Sequence, residues 1–261
     1  FILGFTDWSL YDFNNIKFNG LENFRRLFSE KTFAIAIKNT FYFAIVTVLI
    51  KNIFGFLMAL IVKKTSKFNT LLRAVVFLPM TISVMVVAII FVSIYNPTNG
   101  IINEGLRAIG LDSLTRDWLF DARYSMNSIC LMDIWQGTGF TMCVMISGLQ
   151  AIPTDYYEAA KIDGADKWQQ LRYVTLPLLI SSITISLVFN IISGFKVFAQ
   201  VYSTTNGGPA DSTHVLGTFL FKSFGNGFLG YSAAVGLFTT VLIVALSMTL
   251  LAILRKREVE Y

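Results

Sequence analysis

Charge is scarce in this 261-residue chain: Asp, Glu, Lys and Arg together make up 14%, against about 25% in an average soluble domain. That shortage disfavours a soluble fold. The chain has one histidine and two cysteines, which gives no support for a metal site or a disulfide framework. Cys130 and Cys143 fall within one apolar segment and read as packing residues. A membrane-embedded enzyme would need clustered nucleophilic, acid-base or metal-ligating groups, and these counts make a poor case for one. No G-x-x-x-x-G-K-[ST] phosphate loop occurs, so ATP would have to be bound by a different polypeptide.

What fills the chain instead is apolar: 54% of the residues are hydrophobic and 24 are Phe. A helix crossing the hydrocarbon core needs about 20 mainly apolar residues. Five windows qualify, at roughly 39–62, 74–95, 126–149, 174–199 and 231–254, and the second and fifth carry no charge at all. The opening "FILGF" reads as the outer end of an earlier, truncated span (1–6), which brings the expected count to about six.

The net charge of +5 suits a membrane chain, whose basic residues mark cytoplasmic helix ends, better than nucleic-acid binding. "KKTSKFNTLLR" at 63–73 holds four basic residues and no acid, and the tail carries "RKR" at 255–257; both are expected in the cytoplasm. Two spans separate Arg73 from residue 150, so 150–173 returns there by parity. The segments 7–38, 96–125 and 200–230 then face outside.

"DYYEAAKIDGADKWQQLRYVTLPLL" at 155–179 carries seven charged side chains between two apolar stretches. Asp155 with Glu158 can form a capping box, and Asp166 with Gln169 repeats the pattern. Gly164 between them accepts a left-handed backbone at little cost. The expected product is two short helices bent at a glycine, either docking a partner or resting in the headgroup layer on Tyr156, Tyr157 and Trp168.

Charges inside spans are costly and therefore informative. Lys51, Asp133 and Lys196 are three such residues, and each lysine could also snorkel to an interface. Helical spacing places Asp133, Gln136 and Phe140 on one face beside Gly137, and Asn190, Gly194 and Val197 on another stripe. A carboxylate, an amide and an aromatic plane suit a sugar, although polar stripes also join helices. In "TTNGGPADSTH" at 204–214, Gly-Gly-Pro suits a sharp bend, and His214 reads as a loop residue without catalytic duty.

Glu158-Ala159-Ala160, Gly164 and Leu176-Pro177 together resemble the coupling segment of permeases in bacterial binding-protein-dependent ABC importers. "NGLENFRRLF" at 19–28, "IYNPTNGIIN" at 94–103 and "TNGGPADST" at 205–213 extend the resemblance over nearly the whole chain, toward the carbohydrate permeases related to the larger maltose permease. The resemblance implies an all-α, polytopic transmembrane bundle of the type I importer kind, one domain over 1–261, with a cytoplasmic coupling segment at about 150–173. Glu158, Ala159, Ala160, Asp163 and Gly164 would meet an ATPase subunit. Asp133, Gln136, Gly137, Phe140, Asn190, Gly194 and Val197 would match the family's midmembrane sugar site, with side chains different enough that maltose specificity does not carry over. Implied partners are a second permease, two ATPase domains holding ATP and Mg, an extracytoplasmic solute-binding protein, the sugar and membrane lipid. No cofactor is expected on this chain. The expected location is the bacterial cytoplasmic membrane, with the C-terminus inside. An ion-coupled secondary transporter is the alternative reading, weakened by the lack of an internal repeat.

Overall fold

The computed structural model describes residues 2–255. Thirteen α-helices are named among them: α1 (Glu22–Ser29), α2 (Lys31–Val62), α3 (Lys67–Phe77), α4 (Val84–Ile94), α5 (Ile101–Ala108), α6 (Ser125–Ala151), α7 (Thr154–Ile162), α8 (Lys167–Gln170), α9 (Leu176–Leu178), α10 (Ile180–Phe195), α11 (Ala199–Thr204), α12 (Leu216–Gly225) and α13 (Leu229–Arg255). The strand-like pairing among the described residues is one isolated bridge, Thr6 to Phe18.

Three helices are long and apolar enough to cross a membrane: α2, α6 and α13. The 32 residues of α2 rise roughly 48 Å at 1.5 Å each, so it begins well before the expected residue 39. Two expected spans are interrupted. The charge-free window 74–95 breaks after α3, passes through a 3-10 turn at Leu78–Thr81, and resumes as α4 only after extended Ile82. Pro79 explains the break through its ring, which removes a backbone donor and cannot continue a regular α-helix, while Leu78 before it stays helical. The window 174–199 runs through a π-helical turn at Leu171–Thr175 and α9, then bends by 64° into α10. Among the described residues, three helices are long and apolar enough to span, or up to five segments with each interrupted pair taken as one. At the start of the chain, Ile2–Phe5 form a 3-10 turn rather than a stretch of α-helix. Of the basic tail, Arg255 ends α13, while Lys256 and Arg257 lie outside the described residues.

The chain divides into two compact units. One comprises residues up to Val46, Ser83–Asp133 and Ser193–Val244. Its core gathers Leu27, Phe33, Ala36, Leu216, Phe219, Tyr231 and Val235. The N-terminal segment is fastened by the Asn23 side-chain amide, which donates to the Gly4 and Thr6 carbonyls at 2.9 and 2.8 Å. Gly230 N–H donates to the Trp8 carbonyl at 2.8 Å. Asn39 on α2 holds the 204–214 loop, donating to the carbonyls of Ser212 and His214 at 3.1 and 2.9 Å.

The other unit comprises Thr47–Ile82, Ile134–Ile192 and the residues from Ala245 on. Its core holds Ala59, Val62, Met142, Met145, Ile146, Leu149, Ile152 and Leu179. Gly139 on α6 lies against the backbone of Val76 and Phe77 on α3, where a Cβ would clash. Arg73 closes the cytoplasm-assigned loop by donating to the Val62 carbonyl at 2.6 Å, a cation on the carbonyl end of α2 where the helix dipole favours one.

Candidate functional site: a membrane polar thread and an exposed bent segment

Within the second unit, four side chains form a hydrogen-bonded thread. Asn190 on α10 donates to Thr141 Oγ1 on α6 at 3.0 Å and to Ser186 Oγ at 3.3 Å. Ser186 in turn donates to Asn52 Oδ1 on α2 at 2.8 Å. Burial in an apolar unit is costly for polar groups unless they pair, and here they pair with each other. Beside the thread, the Phe140 ring meets Phe189 with centroids 4.1 Å apart, and Phe189 is 40% exposed. Gln136 is buried and donates to the Ile82 carbonyl at 2.9 Å, supplying a partner at the α3–α4 break. Gly137 makes room for Lys51: a Cβ there would stand 2.7 Å from Lys51 Cδ. Lys51 is itself buried, so it neither snorkels nor stands in open water.

Four of the seven expected sugar positions, Gln136, Gly137, Phe140 and Asn190, thus fall in this unit. The other three belong to the first unit. There Asp133 accepts from Gln200 Nε2 at 3.0 Å, Gly194 is buried, and Val197 presents its carbonyl close to Gly217. Asn52, Thr141, Ser186 and Phe189 were not singled out from sequence. The spacing of four between Ser186 and Asn190 on one apolar helix was the available signal.

The bent segment takes the expected form with one exception. The capping box at Asp155 and Glu158 does not form: α7 starts from Pro153 with no side-chain cap, and a proline just ahead of the helix already fixes the entry. At its other end Gly164 adopts φ +78°. Ala165 N–H bonds to the Ala160 carbonyl at 2.8 Å and Gly164 N–H to Lys161 at 3.0 Å, the crossed pair of a Schellman stop. Asp166 and Gln169 then form the second capping box, both bonds at 2.8 Å. Glu158, Ala159, Asp163 and Gly164 are exposed and Ala160 is half-buried. Two exposed apolar side chains join them, Ile162 at 87% and Trp168 at 68%. Trp168 was expected only in the headgroup-layer alternative, and Ile162 not at all, because neither belongs to the glycine-bend pattern.

His214 lies in a loop, as expected. It is buried, with Nδ1 2.8 Å from Thr218 Oγ1, while Nε2 has no partner among the described residues. Burial holds its pKa down, with Lys222 in the same direction and Asp211 and Glu30 opposing. No group of three His, Cys, Asp or Glu suited to a metal occurs among the described residues.

Residues 51–259 match the family of inner membrane components of binding-protein-dependent transport systems. A probable ABC transporter permease of Bacillus subtilis is 38% identical over 90% of this chain and 80% of its own length. The trehalose/maltose transport system permease of Thermococcus litoralis is 32% identical over 92% of this chain and 81% of its own. Among solved structures, a bacterial ABC transporter that imports the acidic polysaccharide alginate superposes with a TM-score of 0.80 at 26% identity, covering 91% of this chain and 84% of that one. These matches set aside the ion-coupled alternative. The chain belongs to the inner membrane components of binding-protein-dependent transport systems, as a permease subunit of an ABC importer.

Proposed function

We propose that the chain forms half of the membrane pathway of an ATP-driven importer that carries a carbohydrate, most simply an oligosaccharide, by alternating access. An extracytoplasmic binding protein delivers the sugar, a second permease completes the pathway, and separate ATPase subunits holding ATP and Mg drive it. The C-terminus and the bent segment lie in the cytoplasm. The carbohydrate assignment rests on relatives named for sugars, including the trehalose/maltose permease, a multiple sugar-binding transport permease of Streptococcus mutans and the alginate importer.

The observation that carries the mechanism is the α7–α8 segment. Two short helices, α7 closed by the Schellman stop and α8 opened by its capping box, meet at Gly164 and present Glu158, Ala159, Ala160 and Asp163 beside Ile162 and Trp168. Exposed large apolar side chains next to charge are what a protein partner buries at an interface. Nucleotide-driven movement of the ATPase would pass through this joint to the spans. Tyr157 supports the transfer, since its hydroxyl sits 3.1 Å from Thr175 Oγ1 on the π-helical turn.

For the substrate, we assign Phe140 and Phe189 as the stacking surface in the second unit, with Gln136, Gly137 and Asn190 alongside. Asp133, Gly194 and Val197 remain candidate positions in the first unit. The deciding experiment is disulfide crosslinking of Ala160→Cys to a cysteine in the copurifying ATPase, with and without ATP. A nucleotide-sensitive crosslink supports the joint; an active preparation with no contact at residue 160 sinks it. Sugar-stimulated ATP hydrolysis across a panel of oligosaccharides tests the cargo, and stimulation by amino acids alone would overturn that assignment.

A further inference from the structure

The first unit carries a mixed-charge cleft apart from the polar thread and the bent segment. It has a volume of about 410 Å³ and is lined by Asp7, Trp8, Glu22, Arg26, Phe228 and Tyr231. Arg26 is held in place from behind: its guanidinium lies 5.1 Å from the Phe228 ring centre and 4.8 Å from that of Tyr231. Stacking on ring faces orients a guanidinium while leaving its in-plane N–H donors available. Tyr231 is fixed in turn by donating to Glu30 at 2.6 Å. Asp7 accepts from the Lys17 N–H through one oxygen at 2.8 Å, which leaves its other oxygen for a ligand. Glu22 has only a loose 3.6 Å ion pair with Arg25.

A second groove of about 370 Å³ adjoins the first and shares Asn19 and Glu22 with it. Its remaining walls include Leu21, Phe24 and Phe28, of which Leu21 is 68% and Phe28 64% exposed. Both grooves carry charge of both signs, Glu22 and Arg25 standing in the second, and the second adds three large apolar side chains. The two lie where residue 31 begins the membrane-crossing α2, whose exposed Ile35, Tyr42 and Ile45 continue an apolar surface at steps of seven and three.

We infer that this pair of grooves seats an outer-leaflet phospholipid whose headgroup joins a phosphate to a primary ammonium. The phosphate meets Arg26 in charge-assisted hydrogen bonds, the ammonium meets Asp7 and Glu22, and an acyl chain follows Leu21, Phe24 and Phe28. An anionic headgroup without the ammonium would face both carboxylates unpaired, and a lone phosphate would leave Leu21, Phe24 and Phe28 uncovered. Trp8 at the rim suits the headgroup layer, where amphipathic rings collect. The inference rests on the membrane assignment and is independent of which sugar is carried.

The test uses the intact importer complex, purified and stripped of lipid in detergent, then supplied with dioleoyl phosphatidylethanolamine or dioleoyl phosphatidylglycerol. Bound lipid is counted by native mass spectrometry. The expected result is one retained phosphatidylethanolamine that Arg26→Gln weakens about fivefold, the scale of one exposed charge pair. Asp7→Asn with Glu22→Gln should erase the preference over phosphatidylglycerol while leaving lipid bound. Equal retention by wild type and Arg26→Gln overturns the inference, as does tighter binding of phosphatidylglycerol to wild type. Displacement by millimolar inorganic phosphate would reduce the site to an anion pocket and also overturn it. If Arg26→Gln instead loosens the second permease and leaves lipid retention intact, the cleft is a protein contact and the inference fails. The carboxylate double variant decides the matter should Arg26→Gln fail to assemble.

Discussion

Gln136 and Gly137, expected as sugar contacts from their types and spacing, also serve the fold itself: Gln136 donates to the Ile82 carbonyl and Gly137 clears space for Lys51. Spacing along a helix shows which residues share a face, but the occupant of that face is set by neighbours distant in sequence. The glycines make the same point quantitatively. Gly139→Ala should destabilise the chain by about 1–3 kcal/mol, because the α3 backbone at Val76 and Phe77 cannot yield cheaply to the new methyl. Gly105→Ala on α5, with nothing within 4 Å of the added Cβ, should stabilise by up to ~1 kcal/mol; thermal unfolding of the purified variants measures both. His214 gives a pH prediction. Its proton is disfavoured in the fold by burial, so its contribution to stability is complete above the unfolded pKa of about 6.5 and is lost as pH falls toward the depressed folded value. Melting scans between neutral and mildly acidic pH should show a loss in wild type that is smaller in His214→Gln.

Among the elements, legibility followed the strength of local signals. Glycine, capping pairs and flanking proline act over a few residues, so the bend at Gly164 and the cap of α8 could be read directly. The breaks in the second and fourth windows were missed because hydropathy averages over a span and passes over a single Pro79 or a π-helical turn. The bent segment should respond to its local signals one at a time. Gly164→Ala must place a Cβ in the left-handed region, at about 1–2 kcal/mol; sugar-driven transport should drop while the complex still copurifies. Asp166→Ala removes one half of a capping box worth ~0.5–2 kcal/mol and should speed amide hydrogen exchange over Lys167–Gln170 without altering α10. Unchanged transport in the Gly164 variant would show that the bend has no part in coupling.

At the level of the whole chain, composition and charge were enough for the class and insufficient for the contacts. A shortage of charge and five apolar windows pointed to a membrane protein, and an uninterrupted basic loop to an expected orientation, whereas the division into two units depends on packing that no local pattern records. The orientation is testable in cells with Cys130 and Cys143 replaced by Ser. Lys64→Cys should react with a membrane-impermeant maleimide only after the membrane is opened, and Asn206→Cys before; the reverse pattern would invert the topology. The interrupted window between α3 and α4 also bears on how the protein is made. Residues 74–95 leave the ribosome as one charge-free stretch with Pro79 already in it, so the helix is interrupted from the start. The partner for the Ile82 carbonyl at the break, Gln136, is synthesised 54 residues later. The interruption is therefore early, and the bond that fixes its geometry is late, made only once α6 has been inserted. Nascent chains arrested before residue 136 should hold the break loosely, and site-specific crosslinking of stalled intermediates to the insertion channel can follow the moment at which it becomes fixed.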